Sequence, residues 1–545
     1  MKVRFAVIFF GIACCFLFLI GTLYHMQVMQ QDLYTARANA QQRLRTDLIA
    51  ERGAISISDK DGRSIPLAVN QDHQVIFAVP KEIEDAAEAA GQISELVDIP
   101  VDELITRFSK PGDQYEELIA KATDVQVASV EQQAVKGIYT TTRRARQYPF
   151  GRLASQVVGF VSQPDEAHPA VGQYGIEQYW DEALGGVAGQ VQDDQTVIAP
   201  QPGREIKLTI DQNIEQRAEQ ILDDLVLSKG AIGGSVIVLE PSTGKVLAMA
   251  NSPTFDPNNY AQSPLMTFTN PTVQGLYEPG SVFKPITMAI GIDTGAITPD
   301  TTYYDPGFFT ADGKTIKNWD LKAHGTLTMT NVIEQSVNTG TVFAEKKIGH
   351  KKFYEYLLKF GIKELTGIEL PGETTGRLTP LEKYPRDINF ATASYGQGVA
   401  VTPIRLISAL GAIANGGVLV EPYILEGAQL KTSRRVISTE TAAQVTQMMV
   451  SAVQKAKVAD LPQYAVAGKT GTAFKPDFQK GGYTDKVINT YIGFAPASKP
   501  RFIALIKLDE PKDAPLAGTT VVPAFRELAE FILNYYTVAP DRSGR

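Results

Sequence analysis

Two serines in this chain are each followed three residues later by a lysine, at Ser242-Thr243-Gly244-Lys245 and at Ser281-Val282-Phe283-Lys284. A serine hydroxyl becomes an effective nucleophile only when a neighbouring base takes its proton. Lysine can be that base when it is neutral, which requires burial or a second nearby cation to lower its pKa. The two copies sit in different surroundings. Pro241, Ser242, Thr243 and Gly244 join two apolar runs, residues 236–239 and 246–249, and read as a hairpin turn. At the second copy, Pro279-Gly280 closes an irregular stretch, and Val282, Phe283, Ile286, Met288, Ala289 and Ile290 read as a buried helix. Pro285 is compatible with a helix only near its start, so the helix is predicted to begin at about Ser281. Ser281 and Lys284 then share a face about one turn apart, with Ser281 at the positive end of the helix dipole.

Two further stretches supply what such a pair lacks. Lys469-Thr470-Gly471-Thr472 offers the second cation, two hydroxyls suited to a carboxylate, and a glycine that permits close approach of a substrate strand. Taken alone it is a strand containing a glycine. Ser336-Val337-Asn338 taken alone is a helix cap or turn. Lying between the other two, it reads as the polar wall of the same cleft. Catalytic candidates are therefore Ser281, Lys284, Ser336, Asn338 and Lys469, with Thr470, Gly471 and Thr472 as candidates for binding substrate.

In this order the three motifs are the signature of serine acyltransferases trapped by penicillin. The chain resembles a class B penicillin-binding protein, a monofunctional peptidoglycan D,D-transpeptidase, over nearly its whole length. The resemblance is carried by Arg52-Gly53-Ala54-Ile55 with Asp59 and Gly62, Tyr148-Pro149 with Gly151, Gly159-Phe160, and Gly175-Ile176-Glu177. It continues through Leu208-Thr209-Ile210-Asp211, Tyr277-Glu278-Pro279-Gly280, Gly396-Gln397-Gly398 with Thr402-Pro403, and Asn415-Gly416-Gly417. Val337 departs from the pattern, where the family often has a second small polar residue. The resemblance implies that Ser281 attacks the penultimate D-Ala carbonyl of a stem peptide, with backbone N–H groups of Ser281 and Thr472 as oxyanion hole. It also implies stem peptides and β-lactams as ligands, no cofactor, and a membrane-embedded glycan polymerase and division proteins as partners. Asn318-Trp319-Asp320, followed by Gly325 and Leu327-Thr328, and residues 491–511 look closer to the septal than to the elongation type.

Composition narrows the field. The 545 residues can form two or more folded units, and a net charge of −8 argues against nucleic acid as partner. Five scattered histidines have no ligand spacing, so no metal is expected. Residues 5–24 form an uncharged apolar run, preceded by Lys2 and Arg4 and followed by no arginine until Arg37. This predicts a single transmembrane anchor, N-terminus in the cytoplasm and catalytic part outside the bacterial inner membrane. The competing reading is a cleaved signal peptide, whose small-residue exit site is missing. Cys14 and Cys15, the only cysteines, lie inside the run, so the exported part needs no disulfide.

The predicted organisation is an anchor over residues 1–24, stalk and pedestal over 25–203, a transpeptidase domain over 204–537, and a disordered tail over 538–545. Residues 25–51 read as a helical stalk. In the mixed α+β pedestal, Ile55, Ile57 and residues 75–79 read as strands, and 81–97 and 101–108 as helices. Beyond it, Asp211 is placed to cap a helix bearing Ile214, Ala218, Ile221, Leu222 and Leu225. Thr402-Pro403 starts another helix, residues 441–453 form a third, and 490–494 and 502–508 form a strand pair. Strands first and last with helices between imply an α/β fold, an antiparallel sheet flanked by helices, which is the transpeptidase fold of the family. No glycosyltransferase region is recognisable. The readings carried alongside the transpeptidase are a β-lactamase or β-lactam sensor, and a scaffold that only holds a polymerase.

Overall fold

A computed structural model describes residues 2–24, 49–162, 170–191, 197–428, 433–477, 480–512 and 516–542. The stalk expected over 25–51 therefore lies almost wholly outside the described residues. Contacts divide the chain into two units, residues 1–53 with 182–204 and residues 54–181 with 205–545. Residues 182–204, expected to belong to one pedestal, thus group with the N-terminal segment.

The first unit contains helix α1 (Lys2–Tyr24), the N-terminal apolar run. Among the described residues no helix is long and apolar enough to cross a membrane. The unit also holds a clasp in which Gly203 N donates to Glu51 O (2.7 Å) and Gly53 N to Leu184 O (2.8 Å).

The second unit opens with β1 (Ile55–Ser58) and the long β2 (Ser64–Ala78). Helix α2 (Ala86–Val97) starts later than the expected residue 81. Pro80 opens a short 3-10 turn, and the Asp85 carboxylate then caps α2 by accepting from the N–H groups of Ala87 and Glu88. α3 (Val101–Phe108), β3 (Glu116–Ala122), α4 (Asp124–Gln133) and β4 (Ile138–Gln147) follow. Ile76, Ala90, Ile93, Leu104, Phe108, Leu118 and Ile138 form their core. β5 (Ile206–Asp211) comes from beyond the expected domain boundary, yet pairs in parallel with β1. The pedestal sheet is thereby continuous with the C-terminal part.

Asp211 caps α5 (Gln212–Lys229), whose five predicted inward residues are all buried. β6 (Gly233–Leu239) and β7 (Val246–Ser252) form the hairpin expected around Ser242. The central sheet runs β7-β6-β10-β9-β8, antiparallel throughout, with β8 (Ala467–Pro476), β9 (Tyr483–Ala495) and β10 (Phe502–Asp509). On one face Val236, Val238, Ala504 and Ile506 pack with α5 and with α11 (Val521–Tyr535). Phe525 lies at its centre, 4.7 Å from the Tyr491 ring and 6.4 Å from Phe502. Truncating it to alanine would cost about 3–5 kcal/mol. Ile237 and Leu239 alternate onto the other face and are equally buried. There α9 (Pro403–Ala414) touches β6 and β10, and α10 (Thr439–Ala456) touches β8. Three further helices, α6 (Lys284–Asp293), α7 (Met329–Gln335) and α8 (Asn338–Ile348), bring the motifs together.

The chain after α11 departs from the expected disordered tail. Tyr464 Oη donates to Val538 O (2.7 Å), and Asp541 accepts from Ala465 N and Ser498 Oγ (both 2.7 Å). Arg542 pairs with Asp460 at 2.7 Å. A carboxylate satisfying a loop amide and a hydroxyl holds residues 538–542 in place, which polar composition alone did not reveal. Residues 543–545 lie outside the described residues.

Candidate active site

The Ser281 segment is tighter than an α-helical start. Gly280–Phe283 is a 3-10 turn, and the α-helix begins only at Lys284. Pro285 explains this: an α-helix would satisfy the Ser281 carbonyl with the N–H of residue 285, which proline lacks. Lys284 N–H takes that carbonyl instead, closing an i to i+3 turn. In a 3-10 turn residues three apart are eclipsed, so Ser281 and Lys284 align more directly than an α-turn would place them.

Lys284 is fully buried. Its Nζ donates to Ser336 O (2.6 Å) and Asn338 Oδ1 (2.9 Å), and lies 3.3 Å from Ser336 Oγ. These acceptors come from the two-residue link between α7 and α8 and from the first residue of α8. Ser336 ends α7 in the left-handed conformation (φ 56°), Val337 is buried, and Asn338 opens α8. Ser336 is thus a helix C-cap, and that geometry turns its carbonyl onto Lys284.

Lys469 is nearly as buried, and its Nζ donates to Ser336 Oγ at 2.9 Å and Thr470 O at 3.0 Å. One hydroxyl thus touches both lysine Nζ atoms. Burial, and secondarily the charge of Lys469, pushes Lys284 well below the ordinary lysine pKa. Burial pulls Lys469 down to about 7.

β8 ends the sheet, so among the described residues one of its edges carries unpaired backbone groups. Thr470 and Thr472 are half-buried and alternate with buried Lys469, Gly471 and Ala473. Gly471 is required by the serine turn as well. A Cβ there would meet Pro279 O at 2.9 Å and Val282 Cγ1 at 3.0 Å, so the glycine lets the strand lie against the serine turn itself. Thr472 Oγ1 accepts from Ala517 N (3.3 Å). Just ahead of the turn, Glu278 accepts from Tyr483 Oη (2.9 Å), tying the turn to the β8–β9 hairpin.

All eight candidate residues thus lie on three stretches of chain that meet at one place. Sequence reasoning missed the Ser336 backbone as an acceptor, for which side-chain identity carries no signal. It also missed a supporting role for Asn318, noted only as a mark of type. Asn318 Oδ1 accepts from Asn338 N (3.2 Å) and Thr339 N (3.3 Å), and Asn338 Nδ2 donates to Lys317 O (2.9 Å). The earlier landmarks gather elsewhere. Arg146 pairs with buried Glu177 at 2.7 Å, Tyr148 N donates to Asn258 Oδ1 (3.0 Å), and Phe160 stacks on Tyr260 at 4.1 Å. The last two contacts join pedestal to catalytic part.

Comparison with known proteins agrees with this arrangement. The penicillin binding protein transpeptidase domain family matches residues 234–530, and the penicillin-binding protein dimerisation domain family matches residues 47–213. Stage V sporulation protein D of Bacillus subtilis is 30% identical over 98% of this chain and 86% of its own length. Peptidoglycan D,D-transpeptidase FtsI of Escherichia coli is 28% identical over 99% and 92%. The crystal structure of penicillin binding protein 3 of Mycobacterium tuberculosis, complexed with aztreonam, superposes with a TM-score of 0.71 at 28% identity, covering 91% of this chain and 98% of that one. The chain belongs to the penicillin-binding protein family, as a class B member with a transpeptidase and a dimerisation domain, and its activity is that of a serine-type D,D-transpeptidase.

Proposed function

We propose that the chain cross-links peptidoglycan stem peptides through an acyl-enzyme on Ser281, and that it does so in septal wall synthesis. The observation that carries the first part is a lysine buried among neutral oxygens beside a second lysine. A neutral amine has two N–H donors and one lone pair. The donors of Lys284 go to Ser336 O and Asn338 Oδ1, leaving the lone pair for the Ser281 proton. Ser281 Oγ bonds to the penultimate D-Ala carbonyl carbon, and the N–H groups of Ser281 and Thr472 stabilise the oxyanion. The C–N bond to the terminal D-Ala breaks as its nitrogen takes a proton relayed through the Ser336 hydroxyl. An amine of a neighbouring stem then attacks the ester, and Ser281 regains its proton. Lys469, Thr470 and Thr472 hold the substrate carboxylate at the open edge of β8.

The septal role is supported by the resemblance around Asn318-Trp319-Asp320 and by similarity to a protein named FtsI. An N-terminal anchor is supported by α1 exposing Phe9, Phe10, Phe16, Leu17 and Phe18, a surface suited to lipid. Lys2 and Arg4 in its first turn support an N-terminus on the cytoplasmic side. The pedestal and anchor dock a multi-pass glycan polymerase and division proteins, and residues 204–537 hold the chemistry. The test is complementation paired with penicillin labelling. The Ser281→Ala protein is expected to reach the membrane yet fail to support division, whereas the chain lacking residues before Arg37 is labelled but mislocalised. Normal growth on Ser281→Ala alone would make the essential role structural.

A further inference from the structure

We propose that Asn318 is a positioning residue for acylation, acting as an N-cap supplied from outside the helix that carries Asn338. The first N–H groups of a helix have no intrahelical acceptor, and Ser, Thr, Asp or Asn at the N-cap position ordinarily supplies one. In α8 the N-cap is Val337, which has no polar side-chain atom and is buried. Asn318 supplies the missing acceptor: its Oδ1 takes the N–H groups of Asn338 and Thr339.

The amide is held in the orientation this needs. Its Nδ2 donates to Asp305 Oδ2 (2.8 Å) and Lys322 O (3.0 Å), so a reversed amide would set donor against donor on the helix side and acceptor against acceptor on the other. Asp305 is itself fixed by the Thr339 hydroxyl (2.7 Å) and the N–H groups of Gly307 (2.9 Å) and His324 (3.1 Å). The neighbours of Asn318 complete the grip. Lys317 O takes the Asn338 side-chain amide, and Trp319 Nε1 donates to Gln335 O (3.0 Å), just before Ser336. Residues 317–319 therefore bracket the link at 336–338 from both ends. Asn338 Oδ1 is left facing Lys284 Nζ.

This assignment explains how Val337 is tolerated: the capping function has moved from the motif's middle residue to a distant asparagine. It rests on the proposed role of Lys284, and the experiment separates the two. Acylation of the full chain in detergent by a fluorescent penicillin is followed by stopped flow and resolved into the rate constant of the chemical step and the dissociation constant of the non-covalent complex. Asn318→Ala is expected to slow the chemical step about tenfold, the scale of a sub-ångström displacement of a reacting group, with the dissociation constant nearly unchanged. Adding Val337→Ser restores a local cap and is expected to recover most of the rate, although the smaller side chain lowers the melting temperature. An unchanged chemical step in Asn318→Ala, while Lys284→Arg is slow, would overturn the inference and leave the role of Lys284 standing. If Lys284→Arg is also fast, the underlying reading fails instead. A slow step that Val337→Ser does not relieve overturns the capping role. Should Asn318→Ala fail to fold, the double variant decides: a folded, acylating protein supports the cap, and an unfolded one contradicts it.

Discussion

The two Ser-x-x-Lys sequences share a spacing and nothing else that matters. Ser242 is exposed in a turn where Thr243 donates to Glu240 (2.7 Å) and Gly244 has φ 82°. Lys245 is about a third exposed and pairs with the Glu426 carboxylate at 2.9 Å. An anion beside an ammonium group favours the proton and keeps the amine from acting as a base. Lys284 has the opposite surroundings: no solvent, neutral oxygens, and another lysine on the same hydroxyl. What distinguishes a proposed catalytic serine from a turn serine here is the company of the lysine. The spacing itself is satisfied by both.

The largest expected contrast follows from replacing each lysine by arginine, which keeps the charge but does not deprotonate in proteins. Lys284→Arg should slow penicillin acylation by roughly two or more orders of magnitude, the usual contribution of a positioned base. Lys245→Arg should leave the rate unchanged. Equal rates in the two variants would move the base elsewhere.

A second contrast uses the glycine beside each site. In Gly471→Ala the new methyl meets Pro279 O, and in Gly244→Ala it meets Glu421 O at 2.4 Å on a strained backbone. Both should lose stability, by about 1–3 kcal/mol for such overpacking. Only Gly471→Ala should also slow acylation per folded molecule, by about tenfold, because the Ser281 turn must shift. Thermal melts read against acylation rates check this, and a slow Gly244→Ala would blur the distinction.

Much of this layout was legible in the sequence, because caps and periodicity are local. Asp211, Thr402 and the apolar face of α5 lie where side-chain chemistry puts them. The α-helix expected at Ser281 starts three residues later because proline denies one carbonyl its donor, a consequence visible only when the bond is traced. Helix α10 is longer than residues 441–453 because Ser438 caps it. The Ser336 carbonyl, the Asn318 cap and the Asp541 clamp depend on pairings between residues 20 or more apart, which no local pattern encodes.

The subtlest expected effect is a shift in pH dependence. Acylation needs neutral Lys284, so the rate should rise with pH as that group loses its proton and then level off. Lys469→Gln removes a neighbouring positive charge, which makes the protonated form of Lys284 easier to hold and raises its pKa. The rising limb should therefore move to higher pH. A limb that stays in place would mean that burial alone sets Lys284.

The most direct measurement is to react the wild-type chain with a labelled penicillin, digest it, and locate the adduct by mass spectrometry. The buried-lysine account predicts a single adduct on Ser281, absent from Ser281→Ala and undiminished in Ser242→Ala. An adduct on Ser242, or full labelling of Ser281→Ala, would contradict it.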